Sequence, residues 1–140
     1  MGAKRIILDD HLRVVRWVAP RIDENPEWLL PAIGIGLEQD GELIAGVLYT
    51  RYTGTSMEMH VAAIPGRRWL TREYLQTCFA YPFDMVGCRR VTGLVHANNH
   101  DARRFDEHLG FKQEGVLRRA ASDGGDMIVY GMLREECRWI

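Results

Sequence analysis

Cysteine is scarce in this chain and follows no pattern. Cys78, Cys88 and Cys137 are odd in number, far apart and free of any CxxC spacing, so neither a disulfide framework nor a zinc site is indicated. Cys78 reads instead as a small apolar residue on a helix. Long hydrophobic runs are missing too: no stretch approaches the roughly 20 apolar residues that a membrane helix needs. The first ten residues, MGAKRIILDD, become charged too soon for the apolar part of a secretion signal. A cytoplasmic protein with no membrane partner is the expectation. Nor does one sign of charge prevail. A net charge of −1 gives no overall pull toward nucleic acid. Repeats, linkers and low-complexity tracts are absent as well.

What remains is ordinary for one globular domain over residues 1–140. Hydrophobic residues make up 46% and charged residues 26%, and a chain of this size buries roughly two thirds of its unfolded surface. A real core is available.

The chain is organised around Ser56 to Phe83. Ser56 to Ile64 places apolar residues at odd positions, the period of a half-buried strand, with Glu58 and His60 sharing the polar face. Pro65 and Gly66 stop it. Thr71 is a candidate N-cap for a helix carrying Tyr74, Leu75, Cys78, Phe79 and Phe83, which Pro82 should kink or end. A strand that turns sharply into a helix leaves a row of unpaired N–H groups where a phosphate can sit.

Upstream, Lys4–Leu8 reads as a strand, and Asp9 or Asp10 as the cap of a helix whose stripe is Leu12, Val15, Val18 and Ile22. Pro26 to Leu30 gives a second, short helix closed by Pro31. Trp17, Trp28 and Trp69 are read as core or cleft lining. Asp40-Gly41 between two apolar runs signals a hairpin, and Gly54 turns its second arm into the Ser56 strand. Val91 to His96 is β-rich and follows a helix, which suits a strand parallel to Ser56–Ile64. Asn98 or Asn99 caps a helix with the stripe Ala102, Phe105 and Leu109, ended by Gly110. Phe111–Ala120 and Met127–Glu136 are the last strands. The order is β-α-α-β-β-β-α-β-α-β-β: an α+β fold with a mixed, mostly antiparallel sheet of about seven strands and helices on both faces.

The last third carries Asn98-Asn99, Ala102, Leu109-Gly110-Phe111, Glu114-Gly115 and the segment Tyr130 to Trp139. This combination resembles the GNAT superfamily of acyl-CoA N-acyltransferases, and within it the Rim-type ribosomal-protein and polyamine acetyltransferases. The resemblance implies acetyl-CoA, or another short acyl-CoA, as cofactor. It also implies acetyl transfer to a primary amine, either a small molecule or a protein N-terminus or lysine. A non-catalytic acyl-CoA-binding module on the same scaffold is the alternative. Nucleic acid is not an expected partner, no metal is implied, and the exposed edges of the terminal strands leave room for a homodimer.

The resemblance further implies a pyrophosphate loop after the fourth strand. Gly66, Arg67, Arg68, Trp69, Leu70 and Thr71 stand there, with one glycine where the family commonly has two. Pantetheine would lie between the fourth and fifth strands, making the amide of Val61 or that of Ala63 a candidate oxyanion donor. Asn98, Asn99 and Arg103 are further cofactor-contact candidates. Glu58 is the candidate base, directly or through water, with His60 as the alternative and His96 a third choice. In many family members a tyrosine seven residues beyond the cap asparagine protonates the departing thiolate. Here that slot holds Asp106, and a carboxylate of ordinary pKa is a poor donor at neutral pH. The acid's role is therefore expected of Tyr130 or a water, or the thiolate leaves unaided.

Overall fold

The computed structural model describes residues 2–22 and 24–140, and the side chain of Trp28 lies outside the described part, together with the cleft-lining role expected of it. Seven strands form one sheet: β1 (Lys4–Ile7), β2 (Ile33–Gln39), β3 (Glu42–Thr50), β4 (Ser56–Ala63), β5 (Arg90–His96), β6 (Lys112–Leu117) and β7 (Met127–Leu133). Their order across the sheet is β1-β2-β3-β4-β5-β7-β6. Among the described residues only β4 and β5 run parallel. The β2–β3 hairpin turns on Asp40 and Gly41, whose φ angles of 54° and 81° are those of a type I′ turn.

Helix α1 (His11–Val18) lies on one face, capped by Asp10, whose carboxylate accepts from Arg13 N at 3.3 Å. Its buried stripe is Val14, Val15 and Val18, while Leu12 is 42% exposed. Val14 takes the place expected of Leu12 because the strands beneath present glycine. A methyl at Gly34 would lie 2.7 Å from Val14 Cβ, and one at Gly46 would lie 2.6 Å from Val18 Cγ2. Two β-branched side chains thus rest directly on backbone. Gly34→Ala should therefore cost about 1–3 kcal/mol, seen as a lower urea midpoint with unchanged slope. A neutral outcome would mean that α1 is free to lift.

Helix α2 (Pro26–Leu29) follows, with Asn25 accepting from Glu27 N. On the other face α3 (Arg72–Ala80) and α4 (His100–Leu109) cover the larger core, which contains Tyr49, Met57, Met59, Tyr74, Phe79, Val91, Tyr130 and Met132. Helix α3 gives way at Tyr81 to a wider π-type turn ending at Val86. Pro82 explains the change. It has no N–H for the Cys78 carbonyl four residues back, and the Tyr49 hydroxyl donates to that carbonyl instead, at 2.5 Å. Cys78 itself is buried, with its thiol pushed up to about 12 by desolvation.

The β6 strand, Lys112–Leu117, is shorter than the expected Phe111–Ala120. Arg119 adopts φ 58° and donates its N–H to the Asp126 carboxylate at 2.9 Å, which closes the loop early.

Candidate active site

Strands β4 and β5 are paired at Ser56–Arg90, Met57–Val91 and Glu58–Thr92, and nowhere beyond. From Met59 and Gly93 onward they part. Pairing of β4 with β3 continues to Ala63, and Ile64 N–H bonds the Ile44 carbonyl at 2.9 Å. Backbone groups alternate sides along a strand, so Met59, Val61 and Ala63 direct their N–H and C=O groups into the opening.

At the far end of β4 the chain bends toward α3. Thr71 caps the helix, its hydroxyl accepting from Tyr74 N at 3.1 Å. In the bend, Arg67 N donates to the Ile64 carbonyl and Thr71 N to the Trp69 carbonyl. Among the described residues the amides of Gly66, Arg68, Trp69 and Leu70 have no protein acceptor, nor do those of Arg72 and Glu73 in the first turn. Gly66, at φ 79°, has nothing within 4 Å of where a Cβ would stand. The side chains divide. Arg67 turns back to donate to buried Gln39 at 2.5 Å, while Arg68 is exposed with no acidic partner among the described residues. Pro65 is the one position of the bend with no N–H to offer.

Glu58 and His60 lie on the α1 side of β4. His60 Nε2 is 2.8 Å from Thr50 Oγ1 and 3.9 Å from Glu58 Oε1. Burial lowers the His60 pKa and keeps the ring neutral at pH 7. Burial also raises Glu58 from its ordinary value, opposed by Arg51, whose guanidinium lies 3.7 Å away. A carboxylate of raised basicity beside a neutral imidazole is suited to taking a proton.

On the opposite face, α4 begins at Asn99, whose side chain accepts from Ala102 N at 3.1 Å. Asn98 donates its N–H to His96 Nδ1 at 3.1 Å. His96 must then carry its proton on Nε2, which meets the Asp123 carboxylate at 2.9 Å. Both ring nitrogens tie the β6–β7 loop to the start of α4, leaving neither for a substrate. Arg103 points inward, donating to Tyr130 Oη at 3.3 Å and the Ala97 carbonyl at 3.2 Å. Tyr130 is buried on β7, with β5 between it and β4, and donates its hydroxyl to Glu107 at 2.7 Å. The phenol is held away from the opening.

Asp106 is the residue that stands there. A methyl at Gly93, the first β5 residue past the last pair, would lie 3.2 Å from Asp106 Oδ2. The carboxyl shares a cavity of about 30 Å³ with Met59, Val61, Trp69 and Phe105. The half-buried carboxyl has no hydrogen-bond partner among the described residues. Desolvation, helped by Glu107, pushes its pKa up to about 7. The sequence carried a signal for this: Ala102, Phe105, Asp106 and Leu109 fall on one helical face, so an acid interrupts an apolar stripe.

The backbone trace carries the decisive likeness. Over 94% of its length, the chain superposes on 97% of Ard1 from Thermoplasma volcanium at a TM-score of 0.77 and 14% identity. This is the GNAT acetyltransferase fold. A ribosomal-protein alanine N-acetyltransferase from Escherichia coli shares that fold at a TM-score of 0.70 and 18% identity, over 95% of this chain and 94% of the other. A variant of the spermidine N-acetyltransferase SpeG from Vibrio cholerae does so at 0.70 and 17%, over 95% and 94%. No family model matches the sequence, and no curated protein sequence does. Within the GNAT fold the seven-stranded sheet and helices on both faces stand as the sequence pattern implied. No helix among the described residues is long and apolar enough to cross a membrane.

Proposed function

We propose that the chain transfers an acyl group, with acetyl the expected one, from acyl-CoA to a primary amine. One observation carries this: the parallel pair β4–β5 breaks after Glu58 and Thr92, beside a bend in which the amides of Gly66, Arg68, Trp69 and Leu70 have no protein acceptor among the described residues. The residues present fit such a cofactor. The free N–H groups at Gly66 and from Arg68 to Leu70, with the α3 N-terminus and the Arg68 charge, suit a pyrophosphate. The outward-facing groups of Met59, Val61 and Ala63 suit the amides of a pantetheine arm. Bound there, acyl-CoA supplies a thioester already activated toward amines.

The chain's own work is then positioning and proton transfer. Glu58 takes the proton of the incoming amine, directly or through water, from the α1 face, and neutral His60 is the second group able to do so. Val61 or Ala63 donates its N–H to the carbonyl oxygen as charge grows there. The acceptor is a small-molecule amine or a peptide, as for the spermidine and ribosomal-protein enzymes that share the fold. We place the enzyme in the cytoplasm. The β6 edge, where Val116 and Leu117 are 48% and 44% exposed, is the surface for a second copy.

Cofactor binding without turnover is favoured by one contact. The Tyr130 hydroxyl donates to Glu107 at 2.7 Å, which holds it away from the opening. Calorimetry with acetyl-CoA, followed by thiol release with spermidine and with an alanine-terminated peptide, separates the cases. Binding with release is the expected result. Binding without release makes the chain an acyl-CoA-binding module, and no binding at millimolar acetyl-CoA overturns both.

A further inference from the structure

We infer that Asp106 is the proton donor to the departing sulfur, replacing the tyrosine that this slot commonly holds in the family the chain resembles. The inference rests on the acyl-transfer reading above. Its own support is geometric. The carboxyl lies over Gly93, where β4 and β5 first part, and shares its cavity with Met59 and Val61 of the opposing strand. Glu58 stands at the last paired position with its side chain on the other face of the sheet. An acid and a base thus flank the opening from opposite sides, as an amine arriving from one face and a sulfur leaving toward the other require.

Asp106 also does nothing else visible. It caps no helix, pairs with no cation and accepts no hydrogen bond through its side chain among the described residues. Every other ionisable group facing it is accounted for. On α4, Arg103 and Glu107 are bound to Tyr130 of β7. On α3, Tyr74 donates to the Ile35 carbonyl and Cys78 is a neutral thiol. The bend contributes Trp69, and β4 contributes only Met59 and Val61. Among the described residues no cation reaches the carboxyl to hold it ionised, so it keeps its proton near neutrality.

The proton count closes. As the N–C bond forms and the C–S bond breaks, Glu58 accepts the amine proton and Asp106 gives its own proton to sulfur. The products are an amide and a free thiol. Asp106 then regains a proton from water and Glu58 returns its proton to water, leaving no net change in the protein.

The test uses the full chain with acetyl-CoA and whichever of spermidine or the alanine-terminated peptide is acetylated. For the native chain, kcat should fall as pH rises through about 7, the value to which Asp106 is raised. Asp106→Asn should lower kcat by about 10²-fold or more and remove that alkaline limb, with KM for acetyl-CoA little changed. Asp106→Glu should restore part of the rate together with the limb. Infrared difference spectra between the native chain and Asp106→Asn give a readout independent of turnover. A protonated-carboxyl band should be present at pH 6 and lost by pH 8, with or without CoA.

Absence of that band at pH 6 overturns the inference. So does an unchanged rate and pH profile in Asp106→Asn, and that result leaves acyl transfer standing. If the native chain releases no thiol with any acceptor, both readings fall together.

Discussion

Replacing Asp106 by asparagine should make the protein more stable, and increasingly so as pH rises. The carboxyl titrates at about 7 in the folded chain against 3.8 for the free side chain. Between those values the folded state holds a proton that the unfolded chain releases. Ionisation is therefore harder in the fold, and stability falls as pH rises through that window. Near pH 3, below both values, the aspartate is largely protonated in both states and similar in size to asparagine, so the variant and the native chain should nearly match. Above pH 7 the variant should lead by about 4 kcal/mol, the free-energy equivalent of that separation. Denaturant titrations at pH 4.5, 6 and 8 give the difference directly, and titrations common to both proteins cancel. A constant difference across that range would mean that the carboxyl is solvated. Proteins of this size are stable by about 5–15 kcal/mol, so such a group is a large structural cost with no structural bond in return.

Glu58→Gln should leave acetyl-CoA binding intact and lower the rate of thiol release by about 10²–10⁴-fold, the range usual for loss of a positioned base. The glutamine keeps the shape of the site and cannot accept the amine proton. Raised basicity from burial sets the sign of the pH dependence. The acidic limb of kcat should lie above the ordinary glutamate range, and it should vanish in the variant. His60→Ala serves as the control. If His60 is the base, it is the histidine variant that loses the rate while Glu58→Gln stays near the native value. Loss in both would be expected of a relay, since only 3.9 Å separates Nε2 from Oε1.

Much of the architecture was legible because local chemistry agreed with the final fold. Asp40-Gly41 turned where a type I′ hairpin needs positive φ. Thr71 and Asn99 capped helices because their side-chain oxygens reach backbone N–H groups three residues on. The alternation from Ser56 to Ile64 put Glu58 and His60 on one face, as period two demands. The α1 stripe was misplaced by one contact, because the glycines that admit Val14 lie on strands far along the chain and no helical period reveals them.

The site divides the same way. Backbone features that the chain encodes locally, the bend with its helix start and the strand that precedes it, could be read from residue order. What each side chain does there could not. Arg67 is spent on Gln39, Arg103 on Tyr130 and the Ala97 carbonyl, and Tyr130 on Glu107. Asp106, a poor donor at an ordinary carboxylate pKa, is moved to about 7 by burial among residues from β4, the bend and α3, helped by Glu107. Sequence alone settled the elements, their order and the polar face of β4, since those follow from spacing along one segment. Only the tertiary structure decided where the parallel strands part and which carboxyl is left partly desolvated beside the gap. Pairing and desolvation are set by segments that meet only in the fold.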